Sequence, residues 1–250
     1  MVLSMDRWVG KVAVVTGASS GIGAAIAETL AKEGLKLLPE ERTAWKIWPR
    51  ELLIRKEKLS LSKQTYKRNR YPKNAFTWIK NNLGPTHILV NNAGVVPASS
   101  EILRGKTDSW QKLFQVNVLG LCICTREAVK DMKENKVDGH IVHIINSRLG
   151  HKVKNLPVNT VYPSSKFAVT ALAETLRLEL MNQKSKIKMS SVSPALTDTE
   201  FLKNPKNRRV IDMQKILQPQ DIADAVVYVL STPPHVQVQE LSVGPYVVGP

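Results

Sequence analysis

Short apolar runs recur along the chain, each followed by a stretch of helical periodicity. Runs at residues 11–15, 35–38, 87–90, 139–147, 187–193 and 236–243 carry too little polar alternation for a half-exposed sheet. They predict strands buried on both faces. Helical patterns fall at residues 24–32, 51–61, 75–83, 110–132, 162–181 and 220–230. Gly34 marks the end of the first helix and Pro219 the start of the last. Strands alternating with helices at this spacing predict right-handed βαβ units. The expected fold is α/β, a Rossmann-type doubly wound parallel sheet. The 250 residues carry no internal repeat or low-complexity linker, so one domain over 1–250 is expected.

One stretch breaks the pattern. Leu35 to Leu38 begins a second strand, but Pro39 stops it. From residue 37 to about 73 neither periodicity is sustained, Trp45 and Trp48 fall at odd places, and basic residues accumulate. Between Lys36 and Lys73 there are 12 Lys/Arg and 4 Asp/Glu, more than half of the chain's net +15. A nucleic-acid face would spread such charge over a designed surface. Here it belongs to one anomalous segment, and nucleic-acid binding through residues 56–73 is the remote alternative.

No apolar run reaches the roughly 20 residues a membrane helix needs, and residues 1–10 lack a signal-peptide core. A cytoplasmic protein is expected. Cys122 and Cys124 stand one residue apart in a helical pattern, a spacing unsuited to a mutual disulfide, and have no partners at metal-ligand spacing. No metal site is expected.

Thr16-Gly17-Ala18-Ser19-Ser20-Gly21-Ile22-Gly23 lies between the first strand and the first helix. Glycine lets backbone N–H groups approach a pyrophosphate without a Cβ in the way, and the helix that follows offers unpaired donors and a positive dipole end. Alone, such a turn is also an ordinary strand-to-helix connection.

Tyr162-Pro163-Ser164-Ser165-Lys166 is a stronger signal. Residues i and i+4 share a helix face, so the Lys166 ammonium can approach the Tyr162 phenol. A nearby cation favours the phenolate, which makes Tyr162 a candidate general acid/base. Ser147 ends the preceding strand and could hydrogen-bond the same substrate oxygen. Asn117, in the preceding long helix, could hold a water against Lys166. His143 reads as a core residue, and His151 either faces the pocket or is solvated.

The order and spacing of the Thr16–Gly23 motif, Asn91-Asn92-Ala93-Gly94, Asn117, Ser147 and Tyr162-x-x-x-Lys166 resemble the short-chain dehydrogenase/reductase family. Finer features resemble its insect farnesol dehydrogenase-like branch and vertebrate carbonyl/ketosteroid reductase relatives. These are Cys124-Thr-Arg-Glu127, Gly139-His-Ile-Val142, Gly150-His151, Lys166-Phe-Ala-Val-Thr-Ala-Leu172 and Tyr228-Val-Leu-Ser-Thr-Pro-Pro-His235. The resemblance implies reversible hydride transfer between a nicotinamide, NADP(H) with NAD(H) possible, and an alcohol or carbonyl substrate. It implies Tyr162 as proton donor/acceptor, Ser147 orienting the carbonyl, and Lys166 lowering the Tyr162 pKa and holding the nicotinamide ribose. Asn117 would complete a proton relay. Gly17, Ser19, Ser20, Gly21, Ile22 and Gly23 would hold the pyrophosphate. Asn91, Ala93 and Gly94 would line the adenosine, and Pro194, Thr197 and Thr199 the nicotinamide. It also implies a homodimer or homotetramer paired through the helices carrying Asn117 and Tyr162.

The segment at 37–73 departs from the family, whose second strand runs on to a cofactor-selectivity site and whose third ends in an adenine-binding Asp. If Pro39-Glu40-Glu41-Arg42 is encoded CCA GAA GAA CGG after a G, the bases read from that G give Ala-Arg-Arg-Thr, which contains the Ala-Arg-Arg usual in the branch there. Residues 44–50 in that frame permit Leu-Glu-Asn-Leu-Ala-Lys. The segment thus reads as translated out of frame, with a genuinely divergent loop as the alternative. The alternative to an active enzyme is a non-catalytic member of the fold impaired in cofactor binding. Ala195 and the C-terminal residues 244–250 are smaller departures.

Overall fold

The computed structural model describes residues 3–37, 70–97, 101–145, 149–152, 161–200 and 216–246. Among them are strands β1 (Val12–Val15), β2 (Lys36–Leu37), β3 (Thr86–Asn91), β4 (His140–Ile144), β5 (Lys188–Pro194) and β6 (Glu240–Val243). They form one sheet in the order β2-β1-β3-β4-β5-β6, and every pairing is parallel. Successive connections leave β1 toward β2 on one side and toward β3 on the other. The order therefore reverses between β1 and β3, which opens a crevice at their carboxyl ends.

The helices are α1 (Gly21–Lys32), α2 (Arg70–Asn82), α3 (Thr107–Phe114), α4 (Leu121–Glu134), α5 (Tyr162–Asn182) and α6 (Pro219–Ser231). Alternate strand residues point to opposite faces. Ala13, Ile88, Val90, Val142 and Val192 join Ile26, Leu30, Ile222 and Val226 in the core under α1 and α6. Val12, Val14, Leu89, Ile141 and Met189 pack with Phe76, Ile79, Met132 and Leu180 under α2, α4 and α5. The continuous apolar runs follow from this, since both faces of the sheet are covered.

Three elements differ from the sequence expectation. The helix before β3 starts at Arg70, inside the anomalous stretch, rather than at residue 75. The long helix over 110–132 is divided: a six-residue π turn, Gln115–Gly120, separates α3 from α4. The strand expected over 139–147 is β4, ending at Ile144, and Ile145 N–H still reaches Val192 O at 3.0 Å. Residues 38–69, 146–148 and 153–160 lie outside the described residues, and with them the expected helix 51–61 and Ser147.

At the amino-terminal end of β5, the opposite end of the strands from the crevice, the end of α6 is closed by two cations and an indole N–H. Lys188 Nζ donates to Thr232 Oγ1, Pro233 O and Val236 O, and Arg7 Nη2 and Trp8 Nε1 both donate to Leu230 O at 2.9 Å. Positive groups suit the carbonyl end of a helix. Among the described residues, no helix is long and apolar enough to cross a membrane.

Candidate active site

The glycine turn closes against the loop after β3. Gly17 and Gly21 have φ of 71° and 57°, where a side chain is strained. At Gly23 a Cβ would stand 2.2 Å from Gly17 O and 2.4 Å from Asn92 Nδ2, so no other residue fits there. Two side chains stitch the turn to its neighbour. Thr16 Oγ1 accepts the N–H groups of Asn92 and Ala93, both at 3.1 Å, while Asn92 Nδ2 donates to Thr16 O at 3.0 Å and Gly17 O at 3.2 Å. The sequence reading gave neither Thr16 nor Asn92 a role. The available signal was a hydroxyl ending β1 and a doubled Asn ending its sheet neighbour.

Ser20 caps α1 without a side-chain hydrogen bond, which leaves the first-turn N–H groups of the helix free of a capping side chain. This cradle fits a pyrophosphate. Ser19 is exposed, Ser20 is half-buried, and Ile22 packs against the core. Thr199 lies over the turn, its Cγ2 being 3.2 Å from where Gly21 would carry a Cβ.

Other expected contacts turn out otherwise. Asn91 is 4% exposed and its Nδ2 donates to Thr125 Oγ1 at 2.9 Å, behind the sheet, so its side chain does not line the crevice. The reason is the pleat: Asn91 and Asn92 point to opposite faces, and it is Asn92 that meets the glycine turn. Thr197 is buried, its hydroxyl donating to Ala195 O at 3.1 Å and its backbone bridging to Leu217. Pro194 ends β5 and is buried, while Ala93 and Gly94 stand exposed at the crevice.

Asn117 sits in the π turn, a local widening that often marks functional positions. Its amide pairs with the backbone of Val95, accepting from N–H at 2.8 Å and donating to O at 3.1 Å. Nδ2 also donates to Ser165 Oγ at 3.2 Å, and Ser165 Oγ donates to Tyr162 O at 2.7 Å. Asn117 thus fastens the loop after β3 to the first turn of α5. Ser165 was not singled out by sequence. A serine three residues into a helix that bonds back to the i−3 carbonyl was the signal.

Lys166 is 7% exposed. Its Nζ donates to Ile144 O at 3.4 Å, lies 5.9 Å from the Tyr162 ring centroid, and is 3.8 Å from the position a Gly94 Cβ would take. Burial pulls its pKa down to about 8. Burial also pushes the Tyr162 phenol above its ordinary value. The expectation that Lys166 lowers the Tyr162 pKa is therefore not met in the protein by itself. The ammonium lies toward the ring and a carbonyl, and desolvation of the phenolate dominates.

His140 and His143 are buried in β4, bonded to Ser190 Oγ at 2.9 Å and Thr125 Oγ1 at 3.4 Å respectively. Burial drives both pKa values down to about 3, so both are neutral structural groups. His151 is half-buried, with its Nε2 2.7 Å from Glu240 Oε1. Cys122 and Cys124 are free thiols.

Comparison with known proteins agrees with this arrangement. The family model described as short chain dehydrogenase matches residues 11–209. Farnesol dehydrogenase of Aedes aegypti is 42% identical over 245 residues, covering 96% of this chain and 98% of its own. Dehydrogenase/reductase SDR family member 11 of Homo sapiens is 39% identical over 259 residues, covering 96% of each. Among solved structures, an alcohol dehydrogenase from the archaeon Thermococcus sibiricus complexed with 5-hydroxy-NADP has a TM-score of 0.73 at 24% identity. That match covers 96% of this chain and 98% of the other.

Proposed function

The chain belongs to the short-chain dehydrogenase/reductase family, whose enzymes are NAD(P)-dependent, and from that premise we propose its reaction. It interconverts an alcohol and a carbonyl compound, with NADP(H) preferred and substrates of farnesol, ketosteroid or small-carbonyl type. The observation that carries this reading is the convergence of Tyr162, Lys166 and Asn117 beside the crevice at the carboxyl end of β3. The names of the relatives, a farnesol dehydrogenase among them, support the substrate class. The preference for NADP(H) rests on the Ala-Arg-Arg that the shifted frame restores after the second strand.

The Gly17–Gly23 turn and the α1 N-terminus hold the pyrophosphate, with Thr199 across the turn. The bound nicotinamide supplies and accepts the hydride. Tyr162, whose phenol burial keeps protonated, donates its proton to the substrate oxygen during reduction and recovers it during oxidation. Lys166, 5.9 Å from the Tyr162 ring and bonded to Ile144 O, lowers the cost of that transfer only when its ammonium turns from that carbonyl toward the developing phenolate. Ser147, three residues after β4 in the sequence, is the group we assign to orienting the carbonyl. Asn117 holds the Val95 loop and the first turn of α5 in register, and through them the distance between Lys166 and the crevice.

The active form is a homodimer or homotetramer paired through α4 and α5. A groove of about 580 Å³ runs between these helices past Leu121, Val129 and Leu172, and Phe167 and Leu178 are exposed on α5. A second copy would cover these apolar groups.

NADPH and NADH titrations by fluorescence, followed by turnover with farnesol and a small dicarbonyl, test the reading. Binding with turnover, tighter for NADPH, is expected. No binding at millimolar concentrations of either cofactor would reject it in favour of a non-catalytic member of the fold.

A further inference from the structure

We propose that Glu240 is a positioning residue for this reaction, acting through His151 on residues 149–152, which Thr170 ties to the helix that carries Tyr162 and Lys166. The inference rests on the oxidoreductase reading above. His151 Nε2 lies 2.7 Å from Glu240 Oε1, and the same oxygen accepts Ser193 Oγ at 2.8 Å.

The placement of the three residues gives the pair its role. Ser193 is fully buried, one residue before Pro194 at the carboxyl end of β5. Glu240 opens the edge strand β6, where it pairs in register with Ser191. Ser191 and Ser193 share the face of β5 that Met189 turns toward the α5 side, so the carboxylate is presented on the face of the sheet that bears the catalytic helix. The Ser193 hydroxyl fixes the carboxylate in one position from beneath.

The other anchor of the segment is on α5 itself. Thr170 Oγ1 donates to Gly150 O at 3.0 Å and to Lys166 O at 3.2 Å. Gly150 and His151 are therefore adjacent residues held from two sides. One side is the helix that carries Tyr162 and Lys166, and the other is the β5–β6 edge. An isolated exposed ion pair would matter little. The His151–Glu240 contact, with 28% and 39% of the side chains exposed, gains its weight from being tied to a buried hydroxyl and to a helix already in the site. It accounts for the Gly150-His151 pair, which the proposed chemistry leaves unused.

The test uses the full chain with Glu240→Ala, Glu240→Gln, His151→Ala and the Glu240/His151 double variant. Glu240→Ala is expected to lower kcat roughly ten- to a hundredfold, as small misplacements of reacting groups do, while the NADPH Kd and the Tm stay near those of the parent. His151→Ala should match it, the double variant should be no worse than either, and Glu240→Gln, which keeps an acceptor for Ser193, should recover part of the rate. Amide hydrogen exchange at Gly150–Lys152 should rise in Glu240→Ala. Unchanged exchange, additive losses, or losses that follow Tm alone would overturn the proposal. A parent protein that turns over while Glu240→Ala equals it sinks this inference only. A parent that neither binds NADPH nor turns over sinks the underlying reading, and the exchange measurement still decides the clamp.

Discussion

At Gly23 the structure leaves no space for a methyl group, with Gly17 O and Asn92 Nδ2 both within 2.4 Å of the Cβ position. Gly23→Ala must open the turn away from Asn92. It is expected to cost about 3 kcal/mol of stability, as overpacking does, and to weaken NADPH binding, both readable by denaturant titration and fluorescence. A second residue-scale prediction concerns His140 and His143. Their folded pKa values, about 3, lie below the ordinary 6.5. The unfolded chain then binds more protons between those values, so the stability that neutral imidazoles permit is present above pH 6.5 and lost as pH falls toward 3. The expected slope is about 1.4 kcal/mol per pH unit for each histidine. Urea midpoints measured down that range should flatten in His140→Gln and His143→Gln. At this scale the glycines were legible because a positive φ or a close approach admits little else. Asn91 was misread because two adjacent asparagines on a strand look alike in sequence, while the pleat sends them to opposite faces.

The element that most shapes the site is the π turn at Gln115–Gly120. Periodicity alone predicts one uninterrupted helix over 110–132, since a single widened turn shifts the apolar stripe too little to read. What stabilises the turn is tertiary: the Asn117 amide pairs with Val95 on another loop, a contact that no local pattern encodes. Asn117→Ala leaves the Val95 N–H and C=O without their partner and is expected to cost about 2–4 kcal/mol. Asn117→Asp keeps an acceptor for Val95 N–H but no donor, and should fall between. Thermal melts with and without NADPH check both. Strands were more legible than helix ends. Buried runs such as Ile88–Val90 carry their own signal, whereas the start of α2 at Arg70 lies among basic residues with no apolar face to announce it.

Across the whole molecule, the parallel α/β sheet and the Tyr162–Lys166 helix were readable from alternation and spacing, whereas the strand order and the crevice at the β1–β3 switch point come from the fold itself. The part that was not readable is the adenosine side beyond β2, where composition at 38–69 follows neither period. An out-of-frame origin predicts that the transcript encodes Ala-Arg-Arg after the second strand. A transcript that encodes Pro39-Glu40-Glu41-Arg42 without interruption, with matching expressed protein, would refute it. The Lys166 pKa near 8 adds a pH prediction. The ammonium is present below that value and lost as pH rises through it, so reductive turnover should decline above about pH 8 unless bound cofactor raises the value. The central claim is that a Tyr162-dependent proton transfer accompanies cofactor-driven carbonyl reduction. Its most direct measurement is NADPH consumption with a small dicarbonyl by the full chain beside Tyr162→Phe. The account predicts steady consumption by the parent and a loss of roughly a hundredfold or more in Tyr162→Phe, with NADPH affinity retained. Equal rates in the two proteins would contradict it.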